Sequence, residues 1–407
     1  MSASPPRLAL EGGKPLRARP FHRWPVFGAR ERRLVLRALE SGRWGKLHGS
    51  FNREFEEKFA TYTGCRHGIT VVNGSVSLKL ALWALGVREG DEVIVPPYTF
   101  IATATAVIEC NATPVFVDIH PDTYNLDPER IESAITPRTK AILPVHMGGL
   151  CADMDRINAI ARKRGLAVIE DAAHAHGSEW KGRRAGCLGK IASFSFQSSK
   201  NLCAGEGGIL TTNDTRLAER CRALHHCGRL PNGGWYGHDI LGGNFRLGEL
   251  QAALLLAQFT RLEAQTRTRD RNGRDLSREL AKIEGLEPLA RGPEATRHSY
   301  HVFIFRYRRS GFAGWPREKF VKAMRAEGIP ISAGYPVPIY RQPYFQKRDF
   351  GPFHRARLDY RKASCPVCEN ACREEALWLP QSVFLGPRTD MDDIAAAARK
   401  VQRAARG

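Results

Sequence analysis

Short runs rich in β-branched residues recur between residues 68 and 212, separated by turns or helix-length stretches. They are 68–72, 92–96, 114–118, 141–145, 167–171, 191–195 and 208–212. Helical periodicity occupies 75–85, 100–109 and 153–164 between them. Runs this short and this continuously apolar are expected to be strands buried on both faces. Strands that alternate with helices fold into one mostly parallel sheet with helices on both sides. The expected class is α/β, with ligands at the carboxyl ends of the strands.

The flanks read differently. From 29 to 63 the pattern is helical, and Ser41-Gly42 breaks it in two. Phe51, Phe55 and Phe59 repeat at i, i+4, i+8, an apolar stripe that belongs in a core. A long helix is expected over 247–280, as a bridge out of the sheet region. Beyond Gly285 come a strand at 301–307, a helix at 316–327, an extended piece at 329–333 and a Pro- and Tyr-rich loop at 334–346. The last helix is expected after an N-cap region at 389–392. With 407 residues, two or three units are expected. The division is an N-terminal arm (1–28), a large α/β domain (29–265), and a bridging helix with a small C-terminal α+β domain (266–407).

Composition narrows the function classes. No apolar run approaches the roughly 18 residues that span a membrane, and the Pro-, Gly- and Arg-rich start lacks the apolar segment of a signal peptide. A cytoplasmic protein without membrane partners is expected. The ten cysteines are scattered, which argues against a secreted disulfide framework. Cys365, Cys368 and Cys372 have metal-ligand spacing, but no second Cys-x-x-Cys follows, so incidental cysteines on a helix and no metal are expected. The net charge of +20 is dispersed, with acidic residues interrupting each basic cluster. A solvated arginine-rich surface is expected rather than a nucleic-acid site.

Chemistry concentrates around two residues. Asp171 ends the apolar run 166–171, and Lys200 lies in a loop leading to Gly205, Gly207 and Gly208. A lysine amine condenses with the aldehyde of pyridoxal 5′-phosphate, and a buried carboxylate keeps the cofactor's ring nitrogen protonated. Other segments fit the same cofactor. In 71–78 a strand, a glycine turn and a helix start place Gly74 and Ser75 where backbone N–H groups can cup a phosphate; an ordinary capped turn is the alternative. Phe100 stacks on a flat ring or packs under its own helix. His174 follows Asp171 closely enough to contact the ring, and Ser195 precedes Lys200 by five residues and can bind the phosphate.

These segments resemble the DegT/DnrJ/StrS family of pyridoxal phosphate-dependent sugar aminotransferases. The resemblance runs from about Pro25 to near the C-terminus. It is most specific at 170–177 (EDAAHAHG), 193–200 (SFSFQSSK), 204–208 (AGEGG) and 243–246 (GNFR). It implies the type I aminotransferase fold and a homodimer with shared active sites. By position, Lys200 is the Schiff-base lysine and proton shuttle, Asp171 binds the pyridine nitrogen, His174 sits near the ring and Phe100 stacks on it. Gly74, Ser75 and Ser195 hold the phosphate, with Asn244 reaching in from the other subunit. The segment 334–341 lacks the histidine of the Tyr-x-Pro-Leu-His run found in nucleotide-sugar members. The segment 196–202 is similar to the branch that acts on keto-cyclitols such as scyllo-inosose or makes aminohydroxybenzoate.

The expected activity is amino transfer from glutamate or glutamine to a keto-sugar or keto-cyclitol, in the making of an amino sugar or aminocyclitol. The rivals are an aminohydroxybenzoate synthase-like or sugar dehydratase and, more remotely, a non-catalytic basic regulator. Lys200 and Asp171 argue against the last.

Overall fold

In the computed structural model, which describes residues 7–230, 233–234, 236–353 and 358–407, a seven-stranded sheet forms the centre. Its strands are β1 (His67–Val71), β2 (Glu92–Val95), β3 (Thr113–Phe116), β4 (Thr139–Ile142), β5 (Ala167–Asp171), β8 (Ile191–Ser195) and β9 (Gly208–Thr212). Between β5 and β8 lies a two-stranded ribbon, β6 (Glu179–Trp180) and β7 (Arg183–Arg184). The order across the sheet is β1-β9-β8-β5-β4-β2-β3, and β9 alone runs against its neighbours. The carboxyl ends of β1, β2, β4, β5 and β8 therefore open on one edge.

The sheet is buried on both faces because successive side chains go to opposite sides. Ile94, Val168, Phe194 and Ile209 enter one core with Phe55, Phe59 and Leu255. Val93, Val95, Ile169 and Leu210 enter the other with Leu80, Leu82 and Ala218. The Phe51–Thr63 helix thus uses its aromatic stripe as core, with Phe59 edge-on to Phe194 and Phe196.

The helix Glu249–Leu280 spans 32 residues, about 48 Å at 1.5 Å per residue. Its first half supplies Ala252, Leu255, Leu256 and Leu262 to the first core. Its end supplies Leu276 and Leu280 to a separate cluster around a three-stranded antiparallel sheet. Those strands are β10 (Leu286–Pro288), β11 (Val302–Tyr307) and β12 (Ala376–Pro380), with β11 central. Helices Arg317–Ala326 and Arg388–Arg406 complete this unit.

The N-terminal segment docks on this second unit. Leu8 is fully buried in its core, and the N–H groups of Ala9 and Leu16 donate to the Glu327 carboxylate. Arg17 donates to Asp390 at 2.8 Å and to Asp393 at 2.6 Å.

Two local expectations are corrected. The last helix starts at Arg388 with Pro387 as its N-cap, so 389–392 form its first turn. The helix dipole favours an acidic residue there as it does a cap, and Asp390 also takes Arg17 and Arg19. The 334–346 loop is interrupted by a short turn at Ile339–Arg341 and a helix at Pro343–Lys347, which Pro343 starts because its fixed φ suits a first helical position.

Candidate active site

A cavity of about 600 Å³ opens at the carboxyl edge of the sheet. Asp171 enters it as the last residue of β5, and Lys200 from the loop between β8 and β9. Asp171 is buried; Thr103 Oγ1 donates to its Oδ2 at 2.8 Å, and the Ala173 N–H to its Oδ1 at 3.2 Å. Burial raises its pKa, and those two donors pull the other way. Neither Asp171 nor Lys200 forms an ion pair among the described residues. Burial lowers the Lys200 pKa from 10.5 to about 8, while the Asp171 charge opposes that fall. An amine whose neutral fraction is raised in this way, near a buried carboxylate, suits attack on an aldehyde.

A cup at the start of the Gly74–Ala84 helix is built by close backbone approach. Asn73 caps the Gly74–Ala84 helix, its Oδ1 accepting from the Val76 N–H at 2.9 Å. A Cβ at Gly74 would lie 2.6 Å from Ser195 Cβ, and one at Gly208 would lie 2.5 Å from the Asn73 carbonyl oxygen. Only glycine fits at either position. The result is a helix N-terminus facing the cavity, with Ser75 and Ser195 on its rim.

His174 lines the cavity and is buried, with its ring 4.3 Å from that of His301. Its Nδ1 has no hydrogen-bond partner among the described residues. Burial first, then the nearby Lys200 charge, hold its pKa well below 6.5, so it is neutral. Phe100 is 58 % exposed and lines the cavity, so it does not pack under its own helix. An orphaned buried imidazole nitrogen, a buried carboxylate with no cation at ion-pair distance, an uncovered aromatic and a glycine-walled anion cup all fit pyridoxal phosphate.

Of the residues expected from sequence, Gly74, Ser75, Phe100, Asp171, His174, Ser195 and Lys200 come together here. Asn244 does not. It is exposed, paired with His226 in an isolated bridge, and outside the cavity of its own subunit. Sequence reasoning missed Thr103, His301, Tyr335 and Trp378, which also line the cavity. Thr103 is the second residue of the helix Ala102–Ile108 that follows Pro96-Pro97, and the other three come from the second unit. No local spacing marks them.

The three clustered cysteines lie elsewhere, buried with Tyr340 and Tyr360. Asp118 accepts from the Val367 and Cys368 N–H groups at 2.9 and 3.0 Å and so caps the helix that bears Cys368. Burial pushes the Cys365 thiol up to about 12. Among the described residues no cluster of three or more His, Cys, Asp or Glu could hold a metal ion. Nor is any helix long and apolar enough to cross a membrane.

Fold and site together define a pyridoxal phosphate-dependent enzyme of the type I aminotransferase fold. The chain belongs to the DegT/DnrJ/EryC1/StrS aminotransferase family, whose model matches residues 26–399. It is 39% identical to the L-glutamine:2-deoxy-scyllo-inosose aminotransferase of Streptoalloteichus tenebrarius, over 98% of this chain and 98% of that one. It is also 39% identical to the 3-amino-5-hydroxybenzoate synthase of Amycolatopsis mediterranei, over 92% and 95% of the two chains. The crystal structure of 3-amino-5-hydroxybenzoic acid (AHBA) synthase matches with a TM-score of 0.86 at 37% identity, covering 97% of this chain and 100% of that one. The activity is accordingly transamination and the cofactor pyridoxal phosphate.

Proposed function

We propose that the protein transfers the amino group of L-glutamine to a keto-cyclitol, in the making of an aminocyclitol natural product. The observation that carries this reading is Lys200 and Asp171 converging on one glycine-walled cavity, in a chain similar to an L-glutamine:keto-cyclitol aminotransferase. Bound there, pyridoxal phosphate supplies an electron sink for the pair released when a substrate C–H bond breaks. Asp171 would hold the proton on the ring nitrogen, and Gly74, Ser75 and Ser195 the phosphate. Phe100 would cover one face of the ring and His174 lie near it. Lys200 Nζ, with its pKa lowered to about 8, is suited to take the proton from the substrate carbon and return it.

We place Asn244 in the cup of a second subunit, which requires a homodimer. Its exposure and its distance from its own cavity support this. The ten unpaired cysteines support a reducing compartment, the cytoplasm. The division into an arm (1–28), a large domain (29–265) and a small domain (266–407) is supported by the two sheets with separate cores and by the long helix that feeds both. A second reading, aromatising dehydration as in the aminohydroxybenzoate synthase, is favoured by that relative.

The test is to convert the enzyme to its pyridoxamine phosphate form with glutamine, then screen keto-cyclitols, nucleotide-linked keto-sugars and non-aromatic amino-cyclohexene carboxylates. The expected result is return of the original cofactor absorbance with keto-cyclitols, at the highest kcat/KM of the three. Formation of 3-amino-5-hydroxybenzoate from such a carboxylate, without amino transfer, would establish the second reading instead. Multiple-turnover transamination by Lys200→Ala would sink the site assignment.

A further inference from the structure

Beside the cofactor cavity runs a groove of about 780 Å³ that shares Ser199, His301, Val302 and Trp378 with it. Its walls are largely apolar: Trp24, Ile329, Ile331 and Pro380 as well as Trp378. Both indole N–H groups are already used. Trp24 Nε1 donates to the Ser198 carbonyl at 2.8 Å, and Trp378 Nε1 to Tyr98 Oη at 3.1 Å. The two tryptophans therefore present only ring surface.

Two polar groups in the lining have their hydrogen-bond sense set by neighbours. The Ser299 carbonyl can only accept, so the Asn201 amide that meets it at 2.8 Å does so with Nδ2. Asn201 Oδ1 then faces His301 Nδ1 at 3.3 Å and must accept from it. Burial, then the neighbouring His174 and Lys200, keep His301 neutral, with its pKa well below 6.5. The proton is on Nδ1, and Nε2 carries a lone pair with no partner among the described residues.

The second group has the opposite sense. Arg269 is fully buried, and its Nη2 donates to Gln381 Oε1. A guanidinium has only donors, so Oε1 must be the atom that meets it. The free end of Gln381 is its NH₂, without an acceptor among the described residues. Among the described lysines and arginines only Arg325 lines the groove, and its Nε is committed to the Ile331 carbonyl at 2.7 Å. A pyrophosphate group would need more positive charge than that.

We propose that this groove is the subsite for the ring of a neutral polyhydroxylated keto-cyclitol, with His301 Nε2 accepting from one ring hydroxyl and the Gln381 amide donating to another. Such a ring has apolar C–H faces that suit the tryptophan walls, and a rim of hydroxyls that both donate and accept. The groove meets the cofactor cavity at His301 and Trp378, so a ring seated in it can turn its carbonyl toward Lys200. This rests on the keto-cyclitol transaminase reading and locates the acceptor ring and the residues that hold it.

The test uses the pyridoxamine phosphate form of the enzyme and unreactive scyllo-inositol, titrated by calorimetry. His301→Phe keeps a flat ring against His174 but removes the acceptor, and Gln381→Met keeps the length but removes the donor. Each is expected to weaken inositol binding by about five- to thirtyfold, the cost of leaving one buried partner unpaired. Each should raise KM for a keto-cyclitol by a similar factor, at least about fivefold more than it raises KM for glutamine. His301→Gln, which can place an oxygen near the Nε2 position, should recover part of the loss. The proposal is overturned by wild-type enzyme that does not bind inositol saturably, by uridine diphosphate displacing the inositol from the groove, or by variants that affect glutamine as much as the cyclitol. Failure of the transaminase reading shows separately, as wild-type cofactor absorbance that glutamine does not change.

Discussion

Lys200 carries a pKa of about 8 because its amine is desolvated, and Asp171 keeps that value from falling further. The consequence can be measured on the cofactor-free protein. Near pH 7.5 an ordinary lysine with a pKa of 10.5 is about 0.1% neutral, whereas one at about 8 is roughly a quarter neutral, a gain of about 200-fold in reactive amine. Trace acetic anhydride should therefore label Lys200 in a pH-dependent way. The yield of its peptide, read by mass spectrometry against exposed Lys140 as reference, should rise to half-maximum near pH 8. Asp171→Asn removes the charge that favours the ammonium, so its midpoint should move to lower pH. The same variant should slow transamination by roughly 10²–10³-fold, because the ring nitrogen loses its carboxylate. A wild-type midpoint near 10.5, or a midpoint that rises in Asp171→Asn, would refute the argument that burial and Asp171 act in opposite directions.

Two further outcomes test the frame around the site. Gly74→Ala must displace Ser195, whose Cβ would lie 2.6 Å from the new methyl. It should cost about 1–3 kcal/mol in urea unfolding of the cofactor-free protein, and weaken cofactor binding in a spectrophotometric titration. Arg17→Ala leaves the buried Asp390 with, among the described residues, only the exposed Arg19 as cation. It should cost about 3 kcal/mol by urea unfolding and open the first 20 or so residues to limited proteolysis.

The strands most legible in the sequence were those buried on both faces. β5, β8 and β9 lie at 167–171, 191–195 and 208–212, residue for residue as their apolar runs indicate. β6 and β7 are two residues each, too short for any periodicity, and β10 has three. β12 follows a π-helical turn and ends on Pro380, so its run reads as a continuation of the helix before it. The site divides along the same line. Asp171, His174, Ser195 and Lys200 lie within 30 residues of one another, on strand ends or in the loops that follow them, where chain order itself carries the geometry. His301, Tyr335 and Trp378 arrive from the second unit. In the sequence nothing sets them apart from a core histidine or a core aromatic.

Local pattern was enough to indicate the class of sheet and to single out a lysine and a carboxylate that the fold brings into one cavity. Each of those follows from side-chain alternation and from turns within a few residues of a strand. What tertiary packing decided is how the groups behave. Burial brought the Lys200 pKa down to about 8 and kept His174 and His301 neutral. A carbonyl at Ser299 and a guanidinium at Arg269 set which ends of His301 and Gln381 are free. Asn244, legible as a motif, lies outside its own cavity. Hydrogen-bond sense here depends on neighbours about a hundred residues away, and such neighbours exist only once the chain has folded.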